Sequence, residues 1–301
     1  MKLLIINNIA SGYGEGAIYD FIRSFVTDGD EICIRSTNGE TDIKTMLDDA
    51  GDFDAVVASG GDGTVTTVSY QLRNSGIPIL PFPAGTSNLL ALNLASPMET
   101  HALAKLAREM RTLDFDMGEL EVDGQTFGFD IIAGAGYDAV IMKNAVPSKK
   151  LLGPIAYFSA AVTNAMPQTS KFTLKLDGEI VESEGLGVLM VNFAKIQYDI
   201  AIMHDNEPRD GKLDVVILKA QNAFELIPAL IAGLLDRGGE FAERGDALET
   251  FRAHDIEVIA DPPMNIQYDG EPTQLTTPFK ARILKGATRF ILSEEGFKNF
   301  N

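Results

Sequence analysis

The chain has 301 residues, of which 45 % are hydrophobic, and it carries a formal net charge of −18 at pH 7. This length favours two domains over a single hydrophobic core, and the apolar content is that of an ordinary globular protein. The strong negative charge argues against nucleic acid as a partner, because an acidic protein repels the phosphate backbone.

The single cysteine and the first residues bear on the compartment. Cys33 has no second cysteine with which to form an internal disulfide, which fits a reducing environment. The apolar run at residues 3–6 is too short, and too weakly flanked by charge, for a signal peptide. The sequence therefore predicts a cytoplasmic protein.

The first part of the chain alternates strands with helices. The predicted strands are 2–7, 31–35, 53–58 and 77–80, and the predicted helices are 15–26, 41–50, 64–73, 89–95 and 98–110. Alternation of this kind predicts an α/β domain, in which helices cover both faces of a parallel sheet.

After residue 113 the pattern changes to hairpins. Asp123-Gly124 and Asp177-Gly178 each separate two apolar segments, and Asp-Gly is a strong signal for a two-residue hairpin turn. The predicted strands are 119–122, 126–133, 171–176, 180–192, 213–219, 255–260, 264–268 and 280–284, with helical segments near 138–146, 154–165 and 222–236. This part predicts a mostly antiparallel β-sandwich with a few helices.

A glycine-rich loop follows the third predicted strand, with the sequence Gly60-Gly61-Asp62-Gly63-Thr64. Glycines let backbone N–H groups approach an anion, and the start of the next helix adds the positive end of its dipole. Asp62 can hold a magnesium ion directly or through water. The loop therefore indicates a phosphate site, with an ordinary tight turn as the alternative.

Two further strand–loop–helix units share this chemistry. The loop after the fourth strand carries Gly85, Thr86 and Asn88, and the loop after the first strand carries Asn8, Ser11 and Gly12. Open α/β sheets bind ligands at the carboxyl edge, to which parallel strands deliver such loops. Thr86 and Asn88 suit phosphate or ribose, although roles in turns and helix caps explain these residue types equally well.

Six short motifs in a fixed order carry a resemblance to a known family. They are Asn8 with Ser11-Gly12, Gly60-Gly61-Asp62-Gly63-Thr64, Pro83-Ala84-Gly85-Thr86-Ser87-Asn88, Gly134-Ala135-Gly136-Tyr137-Asp138-Ala139, Asp210-Gly211-Lys212-Leu213-Asp214 and Asp269-Gly270-Glu271. Over essentially its whole length the chain resembles the lipid kinases that include diacylglycerol, sphingosine and ceramide kinases. The resemblance implies a nucleotide-binding α/β domain of the NAD kinase and diacylglycerol kinase type at residues 1–117, to which 288–301 return. It also implies a β-sandwich acceptor domain at 118–287.

The resemblance further implies ATP as co-substrate and Mg²⁺ as the metal. The loops that begin at Asn8, Gly60 and Pro83 would cradle ATP, with Thr37 beside the nucleotide. Asp62 would bring magnesium to the β- and γ-phosphates, since phosphoryl transfer depends on positioning and charge neutralisation.

Two more metal assignments follow from the resemblance alone. Asp116 corresponds to an acidic residue that the family couples to the metal near the glycine-rich loop, with a solvated acid as the alternative. Asp210, with the backbone carbonyls of Glu207 and Lys212, is similar to the family's structural magnesium site, and a plain turn is the alternative.

A pair of carboxylates near the C-terminus resembles the family's base. Glu271 is predicted to accept the proton of the substrate hydroxyl, with Asp269 assisting. On the residues alone an ordinary hairpin turn is the alternative, because Asp-Gly is also the commonest hairpin turn. With Asp62, these residues form the predicted catalytic set.

The chain departs from the family pattern at three points. Thr66 and Thr67 stand where the family usually has Asn or His and then Glu, and Leu89 stands where Asp usually follows Asn88. Ile9 stands where the family prefers proline. The first two departures leave nucleotide contacts and acceptor choice open, and an apolar residue 89 is closer to the sphingosine and ceramide kinases.

The predicted function is transfer of the γ-phosphoryl group of ATP to a hydroxyl of a lipid such as diacylglycerol, within phospholipid metabolism. A ceramide or sphingoid-base kinase, an NAD kinase and a non-catalytic nucleotide or lipid sensor are the alternatives. A lipid acceptor implies transient, peripheral contact with a membrane surface. Segments 223–235 and 149–166 suit shallow interfacial helices, with packing inside the second domain as the alternative. The sequence does not determine the oligomeric state, and a homodimer stays open.

Overall fold

The computed structural model describes residues 1–11, 16–136, 168–197, 200–201, 205–219 and 248–301. These residues form two compact units, one of Met1–Met117 with Lys285–Asn301 and one of Gly118–Leu284. The helical segments predicted near 138–146, 154–165 and 222–236, and both segments considered for membrane contact, lie outside the described residues. None of the helices in the described ranges is long and apolar enough to cross a membrane.

The first unit is built on parallel strands. These are β1 (Lys2–Asn8), β2 (Glu31–Thr37), β3 (Ala55–Gly60) and β4 (Pro78–Pro83), in the order β2-β1-β3-β4. Residues 3–6 of β1 and 55–58 of β3 are runs of consecutive apolar residues that are fully buried, as expected for strands covered on both faces. The parallel sheet predicted for this part of the chain is confirmed.

Helices cover this sheet and close the unit's core. They are α1 (Ala17–Phe25), α2 (Asp62–Gln71), α3 (Leu89–Asn93), α4 (Thr100–Glu109) and α5 (Glu294–Phe300). The Phe21 ring of α1 lies 5.5 Å from the Phe82 ring of β4, edge to face, and α1 packs against α4. The Phe300 ring of α5 lies 5.1 Å from the ring of Phe115.

The helix predicted at 41–50 is wrong. The segment forms two short 3₁₀ helices instead, Ile43–Met46 and Ala50–Asp52. The Asp42 side chain accepts the Lys44 N–H, and the Leu47 N–H then bonds the Lys44 carbonyl three residues back. Local bonds from short polar side chains compete with the α-helical ladder, which ends the helix within one turn.

The second unit consists of antiparallel strands in two main sheets. The remaining strands are β5 (Thr112–Val122), β6 (Gln125–Phe129), β7 (Ile132–Gly136), β8 (Ser170–Leu176), β9 (Glu179–Gly185), β10 (Gly187–Val191), β11 (Lys195–Gln197), β12 (Ile200–Ala201), β13 (Leu213–Leu218), β14 (Leu248–Ala253), β15 (Asp255–Asp261), β16 (Asn265–Tyr268), β17 (Glu271–Thr276) and β18 (Phe279–Ile291). One sheet has the order β14-β13-β10-β7-β16-β17, and the other contains β18-β15-β8-β9 together with β5 and β6. Apolar side chains of both sheets, among them Phe129, Phe172 and Met190, form one core. The predicted β-sandwich is confirmed.

Two strands have residues in both units. β5 begins in the first unit and ends in the second, and β18 does the reverse. Within the first unit, Arg289 and Phe290 of β18 pair in parallel with Pro78 and Ile79 of β4. The predicted strand 280–284 and the start of the predicted return segment 288–301 belong to one long strand in the structure.

The two predicted hairpin turns have the expected backbone. Asp123 and Gly124 have φ values of 50° and 74°, and Asp177 and Gly178 have values of 50° and 95°. Two positive φ angles in succession define the tight turn that matches the twist of the flanking strands.

Two segments predicted as single strands each divide between the sheets. The segment 180–192 divides at Leu186, whose N–H bonds the Leu218 carbonyl of β13 at 2.8 Å, and a Cβ on Gly185 would lie 2.1 Å from that same oxygen. The segment 126–133 divides at Asp130 and Ile131, whose N–H groups bond the side chain of Asp269 instead of a neighbouring strand.

Candidate functional site

The loops predicted to bind phosphate lie at one edge of the first unit's sheet. Asn8 at the end of β1 pairs with Thr37 at the end of β2, and Gly60 at the end of β3 pairs with Pro83 at the end of β4. Parallel strands with this register release their loops side by side. The structure thus brings the three predicted loops together.

Two of these loops are in close backbone contact. A Cβ on Gly85 would lie 2.4 Å from the Cα of Gly61, and the Ala84 N–H bonds the Gly60 carbonyl at 3.1 Å. A Cβ on Gly60 would lie 2.5 Å from the Thr64 side chain. Gly85 is therefore required by the approach of one loop to the other, and Gly60 is required by the Thr64 side chain that packs against it.

Asn8 and Ser11 connect the first loop to the glycine-rich loop. Asn8 Nδ2 donates to Thr64 Oγ1 at 3.0 Å, and the Gly61 N–H donates to Ser11 Oγ at 3.3 Å. Asn8 Oδ1 also accepts the Ala10 N–H at 3.0 Å, which fixes the amide orientation. Gly12 lies outside the described residues.

Asp62 is the first residue of α2 and ties that helix to the next one. Its Oδ1 accepts the N–H of Leu90, in the first turn of α3, at 3.0 Å. A carboxylate is stabilised at a helix start by the positive end of the dipole. Asp62 therefore lies where the glycine-rich loop and the Pro83–Asn88 segment meet, with a hard oxygen of the type that magnesium prefers.

Several other predicted nucleotide contacts also hold their own loops. Asn88 has a φ of 50°, and its side chain accepts the Gly85 N–H at 2.8 Å and donates to the Gly85 carbonyl at 2.9 Å. The buried Thr37 accepts the Gly39 N–H at 3.0 Å. Thr86 is exposed to solvent. Contacts of these side chains with a nucleotide stay predictions.

Thr66 and Thr67, which depart from the family pattern, are both part of helix α2. Thr66 is 4 % exposed, and Thr67 Oγ1 donates to the Gly63 carbonyl at 2.7 Å, one helical turn back. A hydroxyl that bonds its own helix is a common way for threonine to fit a helix interior. These two positions therefore support the helix and present no acidic group.

Asp116 is buried and joins two strands of the first unit. It is 1 % exposed, and its Oδ1 accepts the Gly286 N–H at 2.7 Å, so that it links β5 to β18. The bond gives Asp116 a structural task. Its predicted coupling to a metal stays a prediction.

In the second unit, Asp269 and Glu271 lie in the β16–β17 hairpin and have different surroundings. The Asp269 carboxylate accepts three backbone N–H groups, whereas Glu271 is exposed and faces Tyr268 across the hairpin. Burial of Tyr268 raises its pKa above the usual value, and the charges of Glu271 and Asp269 raise it further. The phenol is therefore neutral at physiological pH and lies close to both carboxylates.

The turn that begins at Glu207 is organised by its own hydrogen bonds and by an arginine. The Glu207 carbonyl accepts the N–H groups of Arg209 and Asp210, and Asp210 Oδ1 accepts the Lys212 N–H at 2.8 Å. Arg252 Nη1 lies 3.9 Å from Asp210 Oδ2. The positive charge beside Asp210 is thus a guanidinium, and the Glu207 carbonyl already serves the turn.

Side-chain metal clusters are absent from the part of the chain that the structure describes: no three His, Cys, Asp or Glu side chains there are grouped to hold an ion. A metal held by Asp210 and the carbonyls of Glu207 and Lys212 stays a prediction. Asp62 remains the residue whose surroundings fit magnesium, because a nucleotide would supply the other oxygen ligands.

Asn192 stands at the end of the predicted strand 180–192, and the sequence predicts no role for it in the site. It is fully buried, and its side-chain amide donates to the Asp130 carbonyl at 2.7 Å. The sequence offered one usable signal, since Asn192 is an amide side chain at the end of a wholly apolar run that must bury it, and buried amides have partners.

Models of two protein domains match the chain almost end to end. Residues 2–120 match the diacylglycerol kinase catalytic domain, and residues 131–292 match the YegS C-terminal NAD kinase beta sandwich-like domain. The chain belongs to the YegS-like and diacylglycerol kinase family of lipid kinases. It is therefore a phosphotransferase that acts on an alcohol group, and the predicted fold class is confirmed.

Individual relatives of this lipid kinase are distant. The Probable lipid kinase YegS-like of Alcanivorax borkumensis is 27 % identical over 301 residues, which cover 94 % of this chain and 95 % of the relative. The Diacylglycerol kinase of Mycobacterium tuberculosis is 26 % identical over 229 residues, 72 % of this chain and 70 % of the relative. An uncharacterized Synechocystis protein is 26 % identical over 241 residues, and the match spans about half of it, 52 % of its length.

Solved structures show the same fold. A diacylglycerol kinase structure from Bacillus anthracis superposes with a TM-score of 0.76 at 22 % identity, covering 98 % of this chain and 97 % of the other. An NAD kinase from Archaeoglobus fulgidus in complex with ATP superposes with a TM-score of 0.56 at 14 % identity, covering 99 % and 96 %. At these identities the likeness concerns the fold alone.

Proposed function

We propose that this lipid kinase transfers the γ-phosphoryl group of ATP to a hydroxyl of a lipid such as diacylglycerol, with magnesium as the metal. The observation that carries the proposal is the contact between the two glycine loops of the first unit, where the Gly61 and Gly85 backbones meet without intervening side chains. The start of α2, with the positive end of the helix dipole, suits an anion at this place.

The loops also explain why a metal is needed. Segments 8–11, 60–64 and 83–88 contain no Lys or Arg. A triphosphate carries several negative charges, and neutral N–H donors alone compensate them only in part. Magnesium, when bound, supplies that charge compensation, and Asp62 is the residue of these loops that would hold it.

Glu271 takes the proton of the acceptor hydroxyl in this proposal. It is exposed at the start of β17, so that a substrate can reach it. A positioned carboxylate within hydrogen-bond reach of a hydroxyl speeds such a transfer by about 10²- to 10⁴-fold.

We propose diacylglycerol as the first candidate for the acceptor, because relatives that match large parts of the chain are named diacylglycerol kinases. A ceramide or a sphingoid base is the second candidate, since Leu89 replaces the acidic residue that usually follows Asn88. An acceptor of either type places the enzyme transiently at a membrane surface, whereas the charge of −18 disfavours nucleic acid.

The test is a transfer assay with purified protein, γ-labelled ATP, magnesium and mixed micelles of diacylglycerol, ceramide, sphingosine and phosphatidylglycerol. One labelled lipid that disappears in the Glu271→Gln variant supports the proposal and names the acceptor. A parallel reaction with NAD in detergent-free buffer tests the NAD kinase alternative. ATP binding without any labelled product would instead support a sensor.

A further inference from the structure

We infer that the two carboxylates of the Asp269-Gly270-Glu271 turn have different tasks, with Asp269 a positioning residue that anchors segment 130–132 together with Asn192. The inference rests on the proposed function, in which Glu271 takes the acceptor's proton. It gives the predicted assistance of Asp269 a specific form, which is to hold the backbone next to Glu271.

The Asp269 carboxylate is engaged by backbone donors on both oxygens. Oδ2 accepts the Asp130 N–H at 2.8 Å, and Oδ1 accepts the N–H groups of Ile131 and Ile132, each at 2.9 Å. Hydrogen bonds to an ionised acceptor are about twice as strong as neutral ones. Protonation of either oxygen would turn an acceptor into a donor that faces N–H groups. Asp269 is therefore built to stay ionised and hold the backbone.

Asn192 binds the same segment by donating hydrogen bonds to the carbonyl groups of residues 130 and 131. Its Nδ2 donates to the Asp130 carbonyl at 2.7 Å, and the backbone N–H groups of Asn192 and Phe193 donate to the Ile131 carbonyl at 2.9 and 3.2 Å. The Asp269 N–H donates to the Ile132 carbonyl at 2.7 Å. Each N–H and C=O of residues 130–132 thus bonds Asp269, Asn192 or Phe193.

This anchoring controls the position of Glu271. Segment 130–132 is where the chain passes from β6 in one sheet to β7 in the other, and Asp269 joins it to the β16–β17 hairpin. Asp269 and Gly270 have φ values of 45° and 82°, and the Gly270 N–H bonds Gln267 Oε1 at 3.1 Å. A turn held in this way leaves the backbone of the next residue, Glu271, little freedom.

The same tripeptide occurs a second time and supplies a matched control. Asp177-Gly178-Glu179 also forms a hairpin turn, and the Asp177 carboxylate accepts the N–H groups of His254 and Asp255 at 3.0 and 2.9 Å. No step of the proposed reaction uses this turn. Anchoring of a neighbouring backbone is therefore what the aspartate of this tripeptide does in both places.

The experiment compares Asp269→Asn, Glu271→Gln and Asp177→Asn in two measurements, the pH profile of kcat and hydrogen–deuterium exchange. We expect Asp269→Asn to lower kcat about 10²-fold, the effect of a misplacement of about 1 Å. The KM for ATP and the pH of the acid limb should stay at wild-type values, and exchange at 130–132 should become faster. Glu271→Gln should lower kcat further, while exchange at 130–132 stays as in the wild type. Asp177→Asn should make exchange at 254–255 faster, while kcat stays as in the wild type.

Three results would overturn the inference. Wild-type exchange at 130–132 in Asp269→Asn would exclude the anchor whether or not the protein is a lipid kinase. A shifted acid limb in that variant would show that Asp269 shares the proton. An equal loss of kcat in Asp177→Asn would show that general loosening of the unit is the cause.

If Asp269→Asn does not fold, the variant Asn192→Ser replaces it in the experiment. This variant keeps the Asp269 carboxylate, and it should make exchange at 130–132 faster and lower kcat. A wild-type protein that phosphorylates no lipid, with the expected exchange pattern, would refute the proposed function and the positioning of Glu271 for it, but not the anchor.

Discussion

Replacement of Gly85 by alanine tests whether contact between the two glycine loops is what makes the nucleotide site. The added Cβ would lie 2.4 Å from the Cα of Gly61, 3.1 Å from its nitrogen and 3.0 Å from Asn88 Oδ1. Carbon atoms in contact sit about 3.5–4.0 Å apart, so the loops must separate by about 1 Å. Overpacking of this kind costs about 1–3 kcal/mol of stability, and an error of about 1 Å in a reacting geometry costs about 10²-fold in rate.

The assay pairs urea unfolding with ATP binding by calorimetry in Gly85→Ala. The control is Gly51→Ala in the same unit, where a Cβ would meet nothing within 4 Å. We expect Gly85→Ala to remain folded and to bind ATP at least about tenfold more weakly, as a loosened site would, with Gly51→Ala unchanged in affinity. Wild-type affinity in a folded Gly85→Ala would refute the reasoning, because the loops could then separate without effect on the nucleotide.

Three further predictions concern the base, an acid-sensitive ion pair and the core. Glu271→Gln should lower lipid phosphorylation by about 10²- to 10⁴-fold with an unchanged circular dichroism spectrum, since it removes the base and nothing structural. The Arg108 guanidinium and, to a smaller extent, the amino group of Met1 hold the pKa of Asp30 far below its usual range. The folded state therefore gains stability above about pH 4 and loses it as the pH falls below that value, and Arg108→Met should flatten the decline in Tm. Phe21→Ala should cost about 3–5 kcal/mol in urea unfolding, because the ring is fully buried between Phe25 and Phe82.

Each of these three has a result that would contradict it. Glu271→Gln with wild-type turnover would remove Glu271 from the chemistry. An acid decline in Tm that is equally steep in Arg108→Met would assign the decline to other carboxylates. A loss below about 1 kcal/mol in Phe21→Ala would mean that the helices collapse into the space that the ring leaves.

The sequence predicts the nucleotide side of this enzyme better than the acceptor side. Gly60, Asp62 and Gly85 stand directly after short apolar strands, and in a parallel sheet the strand ends alone bring their loops together. Those relations are local, because each loop is specified by the strand before it and the helix after it. The same is true of β8, where every second residue is buried, because the alternation of apolar and polar residues at 171–176 is itself the pattern of a strand with one covered face.

On the acceptor side the decisive contacts join distant segments. The Asp130 N–H bonds a carboxylate 139 residues further along the chain, and no local pattern reveals that bond. The sequence therefore predicts segment 126–133 as one strand, and it predicts Asn192 as the last residue of the strand 180–192. The motif predicts that Asp269 assists Glu271 in taking a proton, whereas the hydrogen bonds of its carboxylate hold the backbone of a distant segment.

The return of the chain to the first unit has a consequence for biosynthesis. Until residues 285–301 have left the ribosome, β4 lacks the neighbour that Arg289 and Phe290 provide, and Phe115 lacks the ring of Phe300. Synthesis of the first unit begins before that of the second unit and ends after it, so a nascent chain carries an unpaired strand edge throughout synthesis of the second unit. A fragment that ends at Met117 should for this reason need a chaperone, or the C-terminal segment supplied as a peptide, to fold.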